Sequence, residues 1–349
     1  MQRISLPISK SIANRILILQ AIHGDGLMAV SADMPDDVQL LHRALTTLHH
    51  STQPYATLHL SNCGTAMRFL TAYAAQLKNK VTILDGIERM RHRPIGQLVD
   101  ALREIGAQID YLGEEGFPPI RIKGCALDKH RIVRIDNPQS TQFISALLLI
   151  GTNVQTNCNS PYINITRELI KRWSSREESI SPLSGGVGGG FLERDWSSTA
   201  FWYEYVALHG GEIHLPSLFR DSLQGDKVVA DIFTNLGVQT QYTAEGIVIS
   251  SLPLHRTPYT IHQDFGNCPD LYPAVALTCE KLGIQLEATG VESLPLKESD
   301  RLRAVREHRT DHDHRMAMAL LVAGYPVDDT DCIKKSYPEF LAQWKKITT

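Results

Sequence analysis

The chain has 349 residues, of which 43% are apolar and 21% charged, so it is long enough for two domains and has the composition of a soluble globular protein. Its net charge of −3 and its isoelectric point near 6.5 exclude a global positive field that would attract nucleic acid or an anionic membrane. Any binding of anions must therefore come from local clusters.

The six cysteines are scattered along the chain without CxxC pairs. A chain of this size needs no covalent staples, so reduced thiols and a cytoplasmic location are the simpler interpretation. The N-terminal residues lack the apolar core of a signal peptide, and the longest apolar run, 146–151, is far too short to span a bilayer. We therefore expect neither export nor a membrane partner.

Helical and strand-like segments alternate at short spacing. Helical spacing or propensity is found at 12–22, 66–76, 95–105, 142–150, 165–173, 198–208, 227–236, 271–281, 301–307 and 315–322. Alternating or β-branched residues predict strands at 81–84, 108–111, 120–123, 132–135, 211–215, 246–249 and 284–287. The pattern indicates α+β units repeated along the chain.

Two segments share one physical pattern. Residues 99–107 and 230–238 each form a predicted helix that is closed by a glycine at the left-handed cap position and followed by a strand. The glycine-rich segment 184–190 favours a linker over a phosphate loop, because no Lys-Ser or Lys-Thr follows it.

Turns of small residues that open helices predict anion sites. A helix start leaves backbone N–H groups unpaired and carries partial positive charge, and Gly64, within the turn and helix of 61–70, has no Cβ to keep a ligand away. Similar turns with nearby cations occur at 9–15, 140–142, 297–301 and 313–315. A protein with so many such turns is expected to bind ligands that carry several negative groups.

The basic run at 88–94 has two interpretations. It contains Arg89, Arg91 and Arg93, and Pro94 stops Arg93 from being helical while starting the next predicted helix. The run is either a solvated basic face or a means of aiming the Arg93 guanidinium at a phosphate or carboxylate.

Several polar residues at helix starts are equally ambiguous. Ser140 and Thr141 open an apolar helix, where hydroxyl groups normally cap, but they would cradle a phosphate if that helix start faced a cleft. Lys10 and Arg15 are either surface cations or parts of an anion site. Asp270, just before an apolar run, is either an N-cap or a base for a substrate hydroxyl.

Two charged clusters complete the candidates. Lys297, Glu298 and Arg301 either form a salt-bridged surface segment or lie within one helical turn, as a proton-transfer carboxylate flanked by cations. Residues 311–314 have a metal-ligand composition, but the neighbouring Arg315 would repel a cation and no further ligand pattern is evident. A metal site is therefore disfavoured.

Taken together, these motifs resemble the 5-enolpyruvylshikimate-3-phosphate synthase family. The matching motifs occur in the family's order: Ser9-Lys10-Ser11-x-x-Asn14-Arg15, Asn62-x-Gly64-Thr65-Ala66-Met67-Arg68, Glu88-Arg89-Met90-x-x-Arg93-Pro94-Ile95-Gly96, Ser140-Thr141-Gln142, Gln224-Gly225-Asp226, Lys297-Glu298-x-Asp300-Arg301, Asp313-His314-Arg315-Met316-Ala317-Met318 and Lys335-Ser336-Tyr337-Pro338. Each is weak alone, but in this order across nearly the whole chain they are highly specific.

The resemblance implies an α+β, two-domain enolpyruvyl transferase fold of the inside-out α/β barrel type, built from βαβαββ repeats of which one or more are truncated here. It implies domains at 9–194 and at 1–8 plus 195–349, with the active site in the cleft between them. The implied reaction transfers the enolpyruvyl group of phosphoenolpyruvate to the 5-hydroxyl of shikimate 3-phosphate and releases phosphate. The resemblance further implies a monomer, a glyphosate target, and no metal or organic cofactor.

The resemblance also assigns roles by motif. The catalytic residues are Lys10, Asp270 and Glu298. The residues that bind phosphoenolpyruvate are Lys10, Gly64, Arg93, Gln142 and Lys335 around its phosphate, with Arg301 and Arg315 at its carboxylate. The residues that bind shikimate 3-phosphate are Lys10, Ser11, Arg15, Ser140, Thr141, Gln142, Asp270 and Lys297.

The chain departs from the family pattern by being shorter. The largest gap falls between Arg306 and Asp313, and smaller ones fall around 48–60 and 177–195. A catalytically impaired binding protein of the same fold is therefore an alternative. A transferase acting on UDP-N-acetylglucosamine is a more distant one, since that family's loop cysteine and N-terminal basic motif are not matched.

Overall fold

The computed structural model describes residues 2–175, 193–253 and 259–348. The chain forms two compact units. Unit 1 consists of Met1–Lys10, Ala32–Asp36 and Leu192–Thr349, and unit 2 consists of Ser11–Ser31 and Asp37–Phe191. The glycine-rich segment 184–190, expected to be a linker, lies outside the described residues, as does most of the gap expected at 177–195.

The helices are α1 (Lys10–His23), α2 (Asp36–His50), α3 (Gly64–Ala75), α4 (Glu88–Arg91), α5 (Gly96–Glu104), α6 (Thr141–Leu149), α7 (Pro161–Ser174), α8 (Trp196–His209), α9 (Val229–Thr234), α10 (Tyr272–Leu282), α11 (Arg301–Glu307), α12 (His314–Val322) and α13 (Phe340–Thr348). The strands are β1 (Gln2–Arg3), β2 (Tyr55–His59), β3 (Val81–Asp85), β4 (Gln108–Tyr111), β5 (Ile120–Lys123), β6 (Ile132–Arg134), β7 (Asn153–Gln155), β8 (Glu212–Pro216), β9 (Val238–Thr243), β10 (Gly246–Ser251), β11 (Thr260–Asp264) and β12 (Gln285–Thr289). Short 3-10 helices occupy Gly225–Val228, Leu294–Leu296 and Asp331–Lys335.

Each unit contains one complete βαβαββ repeat. In unit 2 the sheet order is β2-β3-β5-β4, with β2 and β3 parallel and the remaining pairs antiparallel. In unit 1 the order is β1-β8-β10-β9, and β1 and β8 form the parallel pair. The two sheets therefore share one topology, in which the fourth strand of the repeat pairs with the second.

The repeated pattern seen in the sequence has its counterpart in these two repeats. Gly106 ends the stretch after α5 with a φ of 100°, and Gly237 ends the stretch after α9 with a φ of 80°. Gly237 directly precedes the third strand of its repeat, and a single residue separates Gly106 from the corresponding strand. A side chain with a Cβ rarely adopts such a φ, which explains why glycine occupies both positions.

Each unit also contains a shorter repeat built on a parallel strand pair. In unit 2, β6 and β7 pair around α6 and are followed by α7. In unit 1, β11 and β12 pair around α10 and are followed by α11. Residues 308–313 alone connect α11 to α12, and they contain no strand. The truncation expected after Arg306 is thus the loss of the antiparallel hairpin that closes a complete repeat.

Helices form the interior of each unit, as the inside-out barrel type requires. In unit 1, α8, α10 and α12 pack against one another, and their side chains are buried around most of the helix circumference. In unit 2, α3 packs against α5 and α6 in the same way. A helix that is apolar on all sides is stable only when it is surrounded by protein. Within the described ranges, no helix combines the length and apolar character needed to cross a bilayer.

Candidate active site

Many of the predicted site residues lie on loops or helix starts that follow the carboxyl ends of parallel strands. In unit 2, Gly64 follows β2, Arg93 follows β3, and residues 140–142 follow β6. In unit 1, Asp270 follows β11 and residues 297–298 follow β12. Ligands of open α/β sheets bind outside the carboxyl ends of parallel strands. Each unit thus presents its predicted residues where its topology favours binding.

In unit 2, two guanidinium groups crowd the backbone of Gly64, the first residue of α3. A Cβ atom at Gly64 would lie 2.2 Å from Nη1 of Arg68 and 2.6 Å from Nη2 of Arg93. The two nitrogens are therefore separated by no more than the sum of these distances. Like charges this close repel by about 3 kcal/mol at an effective dielectric constant of about 20. Together with the partial charge of the helix start, they favour an anion at this point.

Two arginines of the basic run differ in environment: Arg91 forms an ion pair at the surface, and the guanidinium of Arg93 is buried. Arg91 forms an exposed ion pair with Asp85 at 2.7 Å. Arg93 is only 6% exposed and donates from Nη1 to the backbone oxygen of Asn62 at 3.1 Å and to its Oδ1 at 3.3 Å. Pro94 does not start a helix, since α5 begins two residues later; the run itself contains α4, which the sequence did not predict.

Ser140, Thr141 and Gln142 meet this cluster from the start of α6. Ser140 is the N-cap, and its Oγ accepts a hydrogen bond from the backbone N–H of Gln142 at 3.3 Å. Thr141 is the first helical residue. The Gln142 side chain donates from Nε2 to Oγ1 of Thr65 at 2.9 Å and accepts at Oε1 from Nη1 of Arg68 at 3.2 Å. Capping and ligand binding are compatible for Ser140, because its hydroxyl hydrogen can still be donated.

Arg15 is a buried cation in unit 2 with uncharged partners. Its Nε donates to Thr166 Oγ1 at 2.7 Å, and its Nη2 donates to Ser145 Oγ at 3.2 Å and to the backbone oxygen of Tyr162 at 3.0 Å. Nη1 donates to the backbone oxygen of Ser11 at 2.6 Å. Burial lowers the pKa of Arg15 to about 10. In the part of the chain that the structure describes, no carboxylate forms an ion pair with it, so an anionic ligand would find an uncompensated charge there.

In unit 1, Asp270 is surrounded by three cations. Its Oδ1 lies 2.7 Å from Nη1 of Arg301 and 3.7 Å from Nζ of Lys297, and its Oδ2 lies 2.8 Å from Nη2 of Arg315. Burial by itself would raise the pKa of Asp270, but Arg315, Lys297 and Arg301 hold it well below its ordinary value. The carboxyl group is therefore ionised at neutral pH. It does not cap α10, whose N-cap is Leu271.

Arg301 joins three carboxylates although it is only 1% exposed. Besides Asp270, its Nε lies 2.8 Å from Oδ2 of Asp313 and its Nη2 lies 3.2 Å from Oε2 of Glu298. Glu298 in turn lies 3.0 Å from Nζ of Lys335. The expectation that residues 297–301 lie within one helical turn is wrong, because α11 begins only at Arg301. The bent segment before α11 still brings Glu298 against Arg301.

The acidic and histidine residues at 311–314 diverge. Asp311 pairs with Arg303 at 2.8 Å, His312 pairs with Asp329 at 2.6 Å, and Asp313 faces the site. Among the residues the structure describes, no group of three potential ligands is arranged to hold a metal ion. Asp311 and Asp313 therefore serve as ion-pair partners of arginines around the start of α12.

Asp270, Lys297, Glu298, Arg301 and Arg315, with the groups that contact or charge-couple to them, form what we call the unit 1 cluster. Four acidic or histidine residues of this cluster were not among the predicted site residues. Asp313 caps α12 by accepting from the Arg315 backbone N–H at 2.9 Å, in addition to pairing with Arg301. Burial raises the pKa of Asp195, and burial together with the Asp270 charge raises that of Asp226 to about 7. Burial and the nearby Lys10 hold the pKa of His314 well below its ordinary value.

Sequence signals for these four residues are uneven. Asp313, His314 and Asp226 belong to quoted motifs, so each had a signal that went unused. Asp195 has none beyond its position before α8. Lys10, the first residue of α1, acts on the pKa of both Asp195 and His314, so the predicted cation does belong to the unit 1 cluster.

A protein-family model described as EPSP synthase (3-phosphoshikimate 1-carboxyvinyltransferase) matches residues 2–308 and 306–344. The two matched segments meet at the start of the gap expected after Arg306. A 3-phosphoshikimate 1-carboxyvinyltransferase from Bacteroides fragilis is 36% identical over 399 aligned residues, which cover 98% of this chain and 94% of that protein. The alignment is longer than this chain, so the chain carries gaps relative to it.

Two further comparisons agree. A 3-phosphoshikimate 1-carboxyvinyltransferase from Ralstonia nicotianae is 30% identical over 416 residues, covering 97% of this chain and 94% of that protein. The solved EPSP synthase of Acinetobacter baumannii superposes with a TM-score of 0.69 at 20% identity, covering 99% of this chain and 95% of that one. The last similarity shows the fold alone.

Proposed function

The chain belongs to the EPSP synthase family, and we propose that the two clusters described above act on the two substrates of this family's reaction. That reaction transfers the enolpyruvyl group of phosphoenolpyruvate to the 5-hydroxyl of shikimate 3-phosphate and releases phosphate. It is a step of the shikimate pathway to chorismate and the aromatic amino acids. Both substrates carry phosphate and carboxylate groups, which are the ligands that buried guanidinium groups and helix starts bind well.

The observation that carries the proposal is the pair of guanidinium groups at Gly64. Arg68 and Arg93 bring like charges together at the start of α3, and an anion bound there would relieve their repulsion. We assign this point to the phosphate of phosphoenolpyruvate. The groups assigned to it are Lys10, Gly64, Arg93, Gln142 and Lys335.

The carboxylate of phosphoenolpyruvate is assigned to Arg301 and Arg315. Nη1 of Arg315 is buried and has no hydrogen-bond partner within the described ranges, so it is the stronger candidate donor of the two. Arg301 already contacts three carboxylates, and its role is then to fix their positions as much as to bind the substrate.

Shikimate 3-phosphate is assigned to a second set of groups. The uncompensated charge of Arg15, together with Ser11, suits its carboxylate, and Ser140 and Thr141 at the start of α6 suit its 3-phosphate. The remaining assigned contacts are those of Lys10, Gln142, Asp270 and Lys297.

The proton transfers are assigned to Asp270 and Glu298. The 5-hydroxyl oxygen attacks the central carbon of phosphoenolpyruvate as its proton passes to Asp270, while the methylene carbon takes a proton from Glu298. The resulting tetrahedral phosphate ketal then returns a proton from the new methyl group to the Glu298 carboxylate. Phosphate leaves with the proton held by Asp270, which restores the enol ether. A substrate carboxylate at Arg315 would offset the cation that lowers the pKa of Asp270 and so make Asp270 a better base.

An assay for phosphate release from the two substrates tests the proposal. We expect wild-type turnover and a loss of at least about 100-fold in Lys10→Ala and in Asp270→Ala. Matched controls are Lys334→Ala and Asp331→Ala, which alter an exposed ion pair and are expected to keep wild-type rates. Near-normal rates in the first two variants would contradict the assigned roles.

Calorimetric binding of both substrates, and the same assay with UDP-N-acetylglucosamine in place of shikimate 3-phosphate, separate the alternatives. Binding of both substrates without phosphate release would indicate an impaired binding protein, and release only with UDP-N-acetylglucosamine would indicate the related cell-wall transferase.

Our proposal also includes a monomer that acts in the cytoplasm. The six free thiols support a reducing compartment, and light scattering of the purified chain measures its mass in solution.

A further inference from the structure

Arg68 lies on α3 among the groups assigned to the phosphate, but none of the assigned contacts uses it. It is only 3% exposed, and its guanidinium lies over the ring of Phe143 at 5.7 Å. Nη1 donates to Oε1 of Gln142 at 3.2 Å, and Nη2 donates to the backbone oxygen of Pro94 at 3.2 Å. One guanidinium thus links α6 to the segment that carries Arg93.

The contact with Gln142 fixes which way its amide points. A guanidinium has only donors, so the atom of Gln142 that faces Arg68 must be the amide oxygen. The amide nitrogen then points away from Arg68 and donates one of its two hydrogens to Oγ1 of Thr65 at 2.9 Å. The other hydrogen is left for a ligand, which is the role assigned to Gln142.

The contact with Pro94 fixes the position of Arg93, the other residue near Arg68 that is assigned to bind the phosphate. Pro94 directly follows Arg93, and Arg68 holds its backbone oxygen from the side of α3. Arg93 itself is anchored to Asn62, which lies in the turn before α3. Arg68 therefore links the start of α6 to the segment that contains Arg93, and each of these segments contributes a residue assigned to bind the phosphate.

We propose that Arg68 is a positioning residue for the phosphate of phosphoenolpyruvate, which presents the amide N–H of Gln142 and the guanidinium of Arg93 to that phosphate. This inference rests on the proposed function of the site. Besides the charge that it places near Gly64, Arg68 acts through its two acceptors, and no other side chain described in unit 2 bonds both Gln142 and Pro94.

Steady-state kinetics of Arg68→Met and Arg68→Lys test the inference. Methionine keeps much of the length and the contact with Phe143 but removes all donors, and lysine can reach only one of the two acceptors. We expect Arg68→Met to raise KM for phosphoenolpyruvate by about tenfold to 100-fold, with KM for shikimate 3-phosphate within about twofold of wild type. Arg68→Lys is expected to lie in between. Arg121→Met, which removes an exposed ion pair of the same unit, is the control.

A double-mutant cycle with Gln142→Ala distinguishes positioning from a structural role. If Arg68 acts through Gln142, the two changes are less than additive in KM for phosphoenolpyruvate. A merely structural role would raise KM for both substrates and lower the melting temperature together. Full additivity in the cycle, or an unchanged KM for phosphoenolpyruvate in Arg68→Met, would overturn the inference.

Calorimetric titration with inorganic phosphate keeps the inference independent of turnover. If the wild-type chain releases no phosphate from its two substrates, the proposed function fails, and phosphate binding alone decides the role of Arg68. Weaker phosphate binding in Arg68→Met than in wild type and Arg121→Met supports the inference. Equal affinity in all three, or no binding to any, overturns it.

Discussion

Glu204 provides a direct test of how the core of unit 1 is built. It lies in the middle of α8 and is fully buried, and neither of its carboxyl oxygens has a hydrogen-bond partner within residues 2–175, 193–253 and 259–348. Burial raises its pKa well above the ordinary value of 4.5. The folded chain therefore keeps this proton at pH values where the unfolded chain has lost it.

The sign and size of the pH dependence follow from this difference. Above the unfolded pKa the folded state binds more protons, so the free energy of unfolding falls as pH rises, by about 1.4 kcal/mol per pH unit until the folded pKa is reached. Glu204→Gln removes the ionisable group but keeps its shape. We expect the stability of the variant relative to wild type to increase as pH rises from 5 toward 7, by at most about 3 kcal/mol.

Urea unfolding at pH 5, 6 and 7 measures this difference, with tryptophan fluorescence as the signal. Trp196 and Trp202 lie on the same helix and are both fully buried, so they report on unit 1. Glu245→Gln is the control, because the Glu245 side chain is 71% exposed. A constant stability difference between Glu204→Gln and wild type across this range would refute the reasoning.

Other perturbations have expected outcomes as well. Asp313→Asn removes the charge paired with the buried Arg301 guanidinium, so thermal scans and the phosphate-release assay should show a loss of about 3 kcal/mol in stability and a reduced kcat. Gly64→Ala places a Cβ 2.2 and 2.6 Å from two guanidinium nitrogens, so KM for phosphoenolpyruvate should rise about tenfold while KM for shikimate 3-phosphate stays unchanged. Glyphosate should compete with phosphoenolpyruvate in the wild type, and unchanged turnover at saturating glyphosate would contradict the assigned pocket. Asp226→Asn should remove a decline in stability between about pH 4 and 7, since burial raises the pKa of Asp226 to about 7; equal pH profiles in urea unfolding would contradict this.

The regular elements with strong patterns could be predicted from the sequence. The predicted bounds of α11, β4 and β5 match the observed bounds residue for residue. The strands β1, β2, β7 and β11 were missed, because short or edge strands show little alternation. The helix α2 was missed although its apolar residues at 38, 41, 45 and 48 have helical spacing, so the signal was present and unused.

The site could be predicted only as a set of residue types. The sequence places Lys297, Glu298 and Arg301 close together in the chain, but it does not show that Asp270 and Asp313 complete the ion pairs of Arg301. Those contacts depend on loops that come from different strands. The raised pKa of Asp226 likewise depends on burial and on the charge of Asp270, neither of which a linear motif contains.

The predicted domains, 9–194 and 1–8 plus 195–349, and the predicted binding of both substrates between them stay predictions. Both predictions require that each unit contributes to the same reaction, and measuring turnover in variants of each unit tests this requirement. If substitutions at Arg15 of unit 2 and at Arg315 of unit 1 both impair the same reaction, both units contribute to it. Activity that survives either substitution intact would separate that unit from the chemistry.

The short connection from α11 to α12 stands where a complete repeat has its antiparallel hairpin, and this hairpin carries none of the groups assigned to the reaction. Asp270 follows β11, Glu298 follows β12 and Arg315 lies in the first turn of α12, so dropping the hairpin removes none of them. What changes is the outer edge of β12, which no strand in the described ranges covers. The hairpin of a complete repeat is therefore a point at which chain can be removed or inserted without touching the residues assigned to the reaction in this part of unit 1.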